Sequence, residues 1–290
     1  MTNGADIRAV AVSAPLPRGG NAKAYVEDVL VLEISEYARA LAEELGASVR
    51  THRLVFPYLE DLTNALGAKV RTVVETLCDA IEDAKEIDYV AIPLRRAEEA
   101  SWVVEALCRY GKAFFSIPYS RGEEAKIARL IMDISTKAGP VEAAHFAVSF
   151  GEQPQTPYFP ATASREAATM LSLLYPTYLR RAIEHGEELR SAVEKLARRV
   201  TRAAETALES FNVPRKLYLD YSLSPWMEDS VAAVIEDMKG EGLTRPGTHS
   251  AIFEINMAIR DAAERYRGIG YNEVMLPVAE DNRLLSLIHI

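Results

Sequence analysis

Apolar positions change period along this chain in a regular order. Ile7–Ser13 is an apolar run of strand length. After the turn Pro15–Gly20, the residues Val26, Leu30, Ile34, Tyr37, Leu41 and Leu45 recur at spacings of three and four. That predicts one helix with a single buried stripe, ended by Gly46. Val49–Phe56 returns as a strand. Val70, Val73, Val74, Leu77 and Ile81 then mark a helix, Tyr89–Leu94 a strand, Trp102–Tyr110 a helix and Ala113–Pro118 a strand. Ile127, Leu130, Ile131 and Ile134 mark another helix, and Ala144–Phe150 a buried strand. Gly151–Thr162 carries three prolines and no period, so it reads as a linker or an ordered loop across the sheet. Pro176–Phe211 is long helical material that Gly186 bends or divides. A strand from Lys216, helices around Val231–Met238 and Ile252–Tyr266, and a strand at Glu273–Val278 complete the pattern. This alternation predicts an α/β fold of mainly parallel strands with crossover helices.

The segment Leu217–Ser250 holds the most chemistry. Alternation puts Leu217, Leu219, Tyr221 and Leu223 on one strand face and Tyr218, Asp220 and Ser222 on the other, with Ser224 at the turn. A carboxylate on an apolar strand costs free energy unless it is paired or used. Thr248 and His249 sit at a second turn, and Glu280-Asp281 follow the strand-like Leu276-Pro277-Val278. Sites in α/β folds form beyond the outgoing strand ends. Asp220, Ser222, Ser224, Asp229, Ser230, Thr248 and His249 are therefore candidates for one pocket, with Glu280 and Asp281 at another strand end. A structural reading stands beside this one. Ser224-Pro225 has the form of an N-cap and first helical residue, Asp229 and Ser230 would fall in the second helical turn, Thr248 or Ser250 would cap the next helix, and Glu280-Asp281 would be a solvated turn. Capping gives no account of Asp220.

Composition narrows the function classes. With 290 residues, nearly half of them apolar, the chain can bury a sizeable core in one large or two ordinary domains. A net charge of -9 argues against nonspecific nucleic-acid binding, and the stripe Lys195, Arg198, Arg199, Arg202 reads as an ion-paired helix face. No apolar run approaches the ~18 residues of a membrane span. The first residues lack the charged start and apolar centre of a signal peptide. The expected location is the cytoplasm. Cys78 and Cys108 fall within helical patterns and read as buried, reduced thiols. Arg18-Gly19-Gly20-Asn21 reads as a flexible turn or an anion cradle, and Tyr158 and Phe159 as loop anchors or a lid.

The run DYSLSPWMEDSVAAVIEDM, followed by PGTHSA and LPVAEDNRL, resembles the uncharacterised protein family 0210, the domain of unknown function 711. The segment around Met132-Asp133, the stretch TPYFPAT and the start DIRAVAVSAP are also similar, so the resemblance covers nearly the whole chain. It implies an α/β barrel like the ten-stranded barrels of pyruvate formate-lyase and ribonucleotide reductase, with no established activity. Members of that family continue well past Asp281. The expectation is one barrel-like domain over residues 1–284, truncated at its C-terminus, with the proline-rich loop at 151–162. The ending SLIHI resembles translated sequencing-adapter sequence, so residues 285–290 read as a non-native tail. The barrel relatives use a cysteine on a central loop and, in one branch, a glycyl radical. Cys78 and Cys108 sit in predicted helices, so no thiyl or glycyl radical function is expected, and the cofactor is otherwise unknown.

The leading expectation is a small-molecule enzyme of unknown reaction. Asp220 and His249 would be its acid-base or metal-binding groups, within hydrogen-bond reach of one another. Ser222, Ser224 and Thr248 would orient a polar ligand. Carboxylates with imidazole suit Mg, Mn or Zn, but the spacings match no metal motif. The rival is a noncatalytic metabolite-binding or regulatory protein on the same scaffold. A third reading is a homo-oligomer whose Pro176–Phe211 helix packs against a copy of itself. No nucleic-acid or membrane partner is expected.

Overall fold

The computed structural model describes residues 4–30, 32–97, 102–209 and 216–288. Its strands are β1 (Asp6–Ser13), β2 (Val49–Val55), β3 (Tyr89–Pro93), β4 (Ala113–Pro118), β5 (Phe146–Ser149), β6 (Ala168–Leu174) and β7 (Lys216–Asp220), in the spatial order β5-β4-β3-β2-β1-β6-β7. The pairs β2-β3, β3-β4 and β4-β5 are parallel, with Arg53 opposite Tyr89, Val90 opposite Ala113 and Phe115 opposite Phe146. Parallel neighbours need long crossovers. These are supplied by α1 (Ala22–Leu30), α2 (Ile34–Leu45), α3 (Leu59–Leu66), α4 (Val70–Asp83), α5 (Val103–Arg109), α6 (Glu124–Asp133) and α7 (Pro140–Ala143). One pair departs from the rule. Ser13, which ends β1, donates to Glu166 O at 2.7 Å and accepts from Ala168 N at 3.0 Å. The start of β6 thus lies beside the end of β1, and these neighbours run in opposite directions. The sheet is mostly parallel and open, with β5 and β7 at its two ends among the described residues.

The chain divides into two compact units. Unit 2 comprises residues 10–36 and 51–169. Its central strand β3 is buried on both faces from Val90 to Pro93, which accounts for the apolar run Val90-Ala91-Ile92. Towards the helices, Phe115 meets Trp102 edge-on at 5.5 Å. The opposite face carries Arg53, Tyr89, Phe114 and Ser116, and against it lies the loop 151–165. Helices on one side and a loop on the other give this unit a distinct inner face.

Unit 1 comprises residues 1–9, 37–50 and 170–290. It contains α8 (Pro176–Glu184), α9 (Leu189–Glu209), α10 (Val231–Lys239), α11 (Thr248–Arg265) and α12 (Asn282–Leu287). The stripe of α9, from Ala192 through Val200 to Ala207, is buried, with α11 and β7 among its neighbours. Its apolar stripe is thus covered within the unit, so a second copy is not needed to bury it.

Several elements differ from the sequence pattern. The predicted helix over Val26–Leu45 is two helices, parted at Glu33, whose φ is +50°. Gly186 (φ +71°) does divide α8 from α9, while Phe211 lies outside the described residues. The strand expected at Ala144–Phe150 is only Phe146–Ser149 and half-buried, because it stands at the sheet edge. Residues 273–278 form no strand; Val274 makes a single parallel bridge to Leu223. Both cysteines lie in helices, but Cys108 is exposed rather than buried. Among the described residues, no helix is long and apolar enough to cross a membrane.

Candidate functional site

Asp220 ends β7 and is fully buried. Its Oδ1 accepts from Ser222 N (3.0 Å), Ser222 Oγ (2.6 Å) and Asn272 N (3.1 Å), and its Oδ2 accepts from Tyr271 N (2.9 Å). Ser222 Oγ in turn accepts from Glu273 N at 3.2 Å, and Asn272 Oδ1 accepts from Tyr221 N at 3.0 Å. On either side, Leu219 and Leu223 bridge in parallel to Gly268 and Val274. The carboxylate takes the place of ladder carbonyls where two chain segments stop pairing. That is the burial of a charged group with its hydrogen bonds supplied.

The neighbouring candidates are tied into helix starts. Ser230, not Ser224, is the N-cap: its Oγ accepts from Ala233 N at 3.0 Å and α10 begins at Val231. Asp281 is fully buried and serves two helices. Its carboxylate accepts from Val231 N and Ala232 N of α10, from Arg283 N and Leu284 N of α12, and from Ser230 Oγ. Asp229 Oδ1 accepts from Thr177 N (2.6 Å) and Thr177 Oγ1 (2.7 Å) at the start of α8. Burial raises the Asp229 pKa despite those bonds. Each carboxylate accepts from N–H groups that a helix start would otherwise leave unpaired, so each has a structural role. Ser224 and Glu280 both meet Arg8 of β1, whose guanidinium donates to Glu280 Oε2 (2.6 Å), Pro225 O (2.5 Å) and, at 3.4 Å, Ser224 Oγ.

The expected pair of Asp220 with His249 does not form. His249 is exposed in the first turn of α11, and among the described residues no hydrogen bond joins it to Asp220. Thr248 Oγ1 donates to Leu243 O at 2.5 Å and accepts from Lys239 Nζ at 2.6 Å, which closes the turn before α11. The structure thus collects Asp220 with Ser222, Ser230 with Asp281, and Ser224 with Glu280, but Thr248 and His249 stand apart from these groups. No cluster of three or more metal-ligating side chains occurs among the described residues.

A second polar region, which the sequence patterns passed over, lies on the inner face of unit 2. The proline-rich loop is knitted to itself by Thr162 Oγ1, which donates to Thr156 O and accepts from Thr156 N. Phe159 packs edge-on against Phe114 at 5.5 Å and lies under the Arg53 guanidinium at 5.2 Å, so it is an anchor rather than a lid. Gln155 makes full use of its amide. Its Nε2 donates to Ser13 Oγ and Glu166 O, and its Oε1 accepts from Arg165 N and Glu166 N. Gln153 is equally buried, and its Oε1 accepts from Ser116 Oγ at 3.0 Å, yet its Nε2 has no partner among the described residues. Flipping the amide does not help, because the Ser116 hydroxyl can serve either end and the other end is then left over. Arg165 and Glu152 pair at 3.2 Å at the nearby surface, and Arg95 lies over the Tyr58 ring at 4.1 Å. Burial raises the Tyr58 pKa while Arg95 opposes the rise. The usable signal was positional: Ser116 lies near the outgoing end of β4, and the loop follows β5.

Comparison with known proteins places the chain. The family model described as uncharacterised ACR (DUF711) matches residues 5–289. The chain belongs to this family. Among solved structures, this DUF711 chain is similar to the anaerobic ribonucleotide reductase from Thermotoga maritima with citrate in the active site. The two are 9% identical with a TM-score of 0.48, and the match covers 92% of this chain and 66% of that one. The chain thus spans just under two thirds of that reductase's length. No curated protein matches it.

Proposed function

We propose that this DUF711 protein is a noncatalytic binder of polar small molecules, holding a ligand carbonyl or carboxylate oxygen at the loop-covered outgoing ends of β1 and β4. The observation that carries this is the Gln153 amide, fully buried with its Nε2 unpartnered among the described residues. A buried donor without an acceptor costs about 1–3 kcal/mol, so a fold that keeps one has a use for it. Gln155, two residues on in the same loop, has no such deficit. The position agrees with the rule that ligands bind beyond the outgoing ends of parallel strands. Ser116 and Gln153 are recognition groups, not acid-base groups, and that favours binding over catalysis.

The test is a thermal-shift screen of the whole chain against carboxylate- and carbonyl-bearing metabolites, run beside Gln153→Met. Methionine keeps the length of the side chain and removes the donor. Ligands that raise the wild-type melting temperature should fail to raise that of the variant. Equal shifts in both proteins would remove Gln153 from recognition, and an absence of any shift in the wild type would reject the binding reading.

A further inference from the structure

The Gln153 amide is closed off from solvent beneath the loop, so a ligand reaches its Nε2 only if part of the loop moves. The loop is not held evenly along its length. Its far part is fastened to the sheet: Ser164 N donates to Phe56 O at 3.0 Å and Ser164 Oγ to Ala14 O at 2.6 Å. Ala163 N donates back to Pro154 O at 3.0 Å, which fixes the chain from Pro154 onward. The entry is fixed as well, since Tyr119 N donates to Ser149 O at 2.7 Å and the Tyr119 and Phe150 rings stack at 5.0 Å.

Between these anchors lie Gly151, Glu152 and Gln153. Gly151 has φ +101°, a Cβ placed on it would meet nothing within 4 Å, and Ser149 Oγ reaches its carbonyl only at 3.4 Å. Its backbone therefore has room to turn. Three side chains hold Gln153 down. Ser116 Oγ donates to its amide oxygen, the Tyr58 hydroxyl bonds its backbone, and Arg165 Nη2 donates to its carbonyl at 2.9 Å. The same Nη2 pairs with Glu152 Oε2 at 3.2 Å. One exposed guanidinium thus ties Glu152 and Gln153 to the fastened end of the loop. Exposed ion pairs contribute little and are screened by salt, so this tie releases at small cost.

We propose that residues 151–153 form a strap that turns out about Gly151 to admit a ligand to Gln153 and Ser116, with Arg165 as its latch. The proposal rests on the reading of Gln153 as a recognition group, but its test needs no ligand.

Amide hydrogen exchange of the full-length protein, corrected for intrinsic rates, reads the opening directly. Arg165→Gln should speed exchange of the Gln153 amide several-fold and leave the amides of Ala163 and Ser164 near their wild-type rates. Glu152→Gln removes only the ion pair and should give a smaller rise. Raising sodium chloride from ~0.05 to ~0.5 M should speed Gln153 exchange in wild type and leave Arg165→Gln unmoved. Exchange at Gln153 that ignores both salt and Arg165→Gln would overturn the latch. Equal gains at Gln153, Ala163 and Ser164 would mean that the loop opens as a whole, without a strap. Should Arg165→Gln not fold, the salt series and Glu152→Gln decide in its place. The two readings fail separately: a thermal-shift screen without hits rejects the ligand while the exchange pattern stands, and exchange without a latch rejects the strap while the hits stand.

Discussion

Asp220 at the end of β7 and Gln153 over the end of β4 are both fully buried, yet they are served in opposite ways. Asp220 collects hydrogen bonds from Ser222, Tyr271 and Asn272, whereas Gln153 keeps an amide nitrogen that no described residue accepts from. A buried acceptor crowded with donors is committed to the fold, and its removal exposes every donor around it. A donor left over carries a desolvation cost, and its removal relieves that cost. The chemically suggestive residue type was thus the structural one, and the bland amide is the better candidate for recognition.

The comparison makes predictions that can be ranked by size. Asp281→Ala should be the most damaging, on the order of 3–5 kcal/mol, because it strips acceptors from two helix starts at once. Urea unfolding of wild type and variant measures it, and a loss below ~1 kcal/mol would contradict the capping role. Asp220→Asn should cost about 1–3 kcal/mol, since it turns an NH2 group towards the Tyr271 N–H; an unchanged melting temperature would return Asp220 to the list of functional residues. Gln153→Met should leave stability within about 1 kcal/mol of wild type, or raise it, and a large loss would mean that its amide is as structural as Asp220.

The smallest effect depends on pH. Burial holds Asp229 above its ordinary value near 3.8. A raised folded pKa favours the folded state at acid pH, and that contribution is lost as pH rises through the folded value. Asp229→Asn keeps the Oδ1 that accepts both Thr177 bonds and removes the buried charge. Its melting temperature should exceed that of wild type slightly at pH 7, with the difference vanishing below pH ~4. A deficit at pH 7 would mean that the charge itself supports the start of α8.

Much of the fold was readable from periodicity, because β1 to β4, α4, α10 and α11 each bury one continuous pattern. The failures have physical causes. ATMLSLL of β6 is buried at every position, so it shows no alternation. The α3 helix is only two turns long, and the break at Glu33 lies inside a stripe whose spacing continues across it. Ser224-Pro225 looks like a helix start, but the chain first turns back at Trp226 and Asp229, and the cap falls to Ser230. The candidate site was half legible. The polar residues after β7 do gather, but Asp220 also accepts from two backbone amides some fifty residues downstream. Backbone donors have no letter in a sequence. The Gln153 deficit was invisible for the complementary reason, since only coordinates reveal a bond that is not made.

The Asp281 carboxylate has a mechanical consequence. Because one side chain anchors the first turns of α10 and α12, neither helix can fray at its start without loosening the other. Amide protons of Val231, Ala232, Arg283 and Leu284 should therefore exchange with solvent as a single cooperative group. Clipping the chain after Glu280 would unfasten a segment some fifty residues earlier, so Asp281 acts as a clasp for the start of α10.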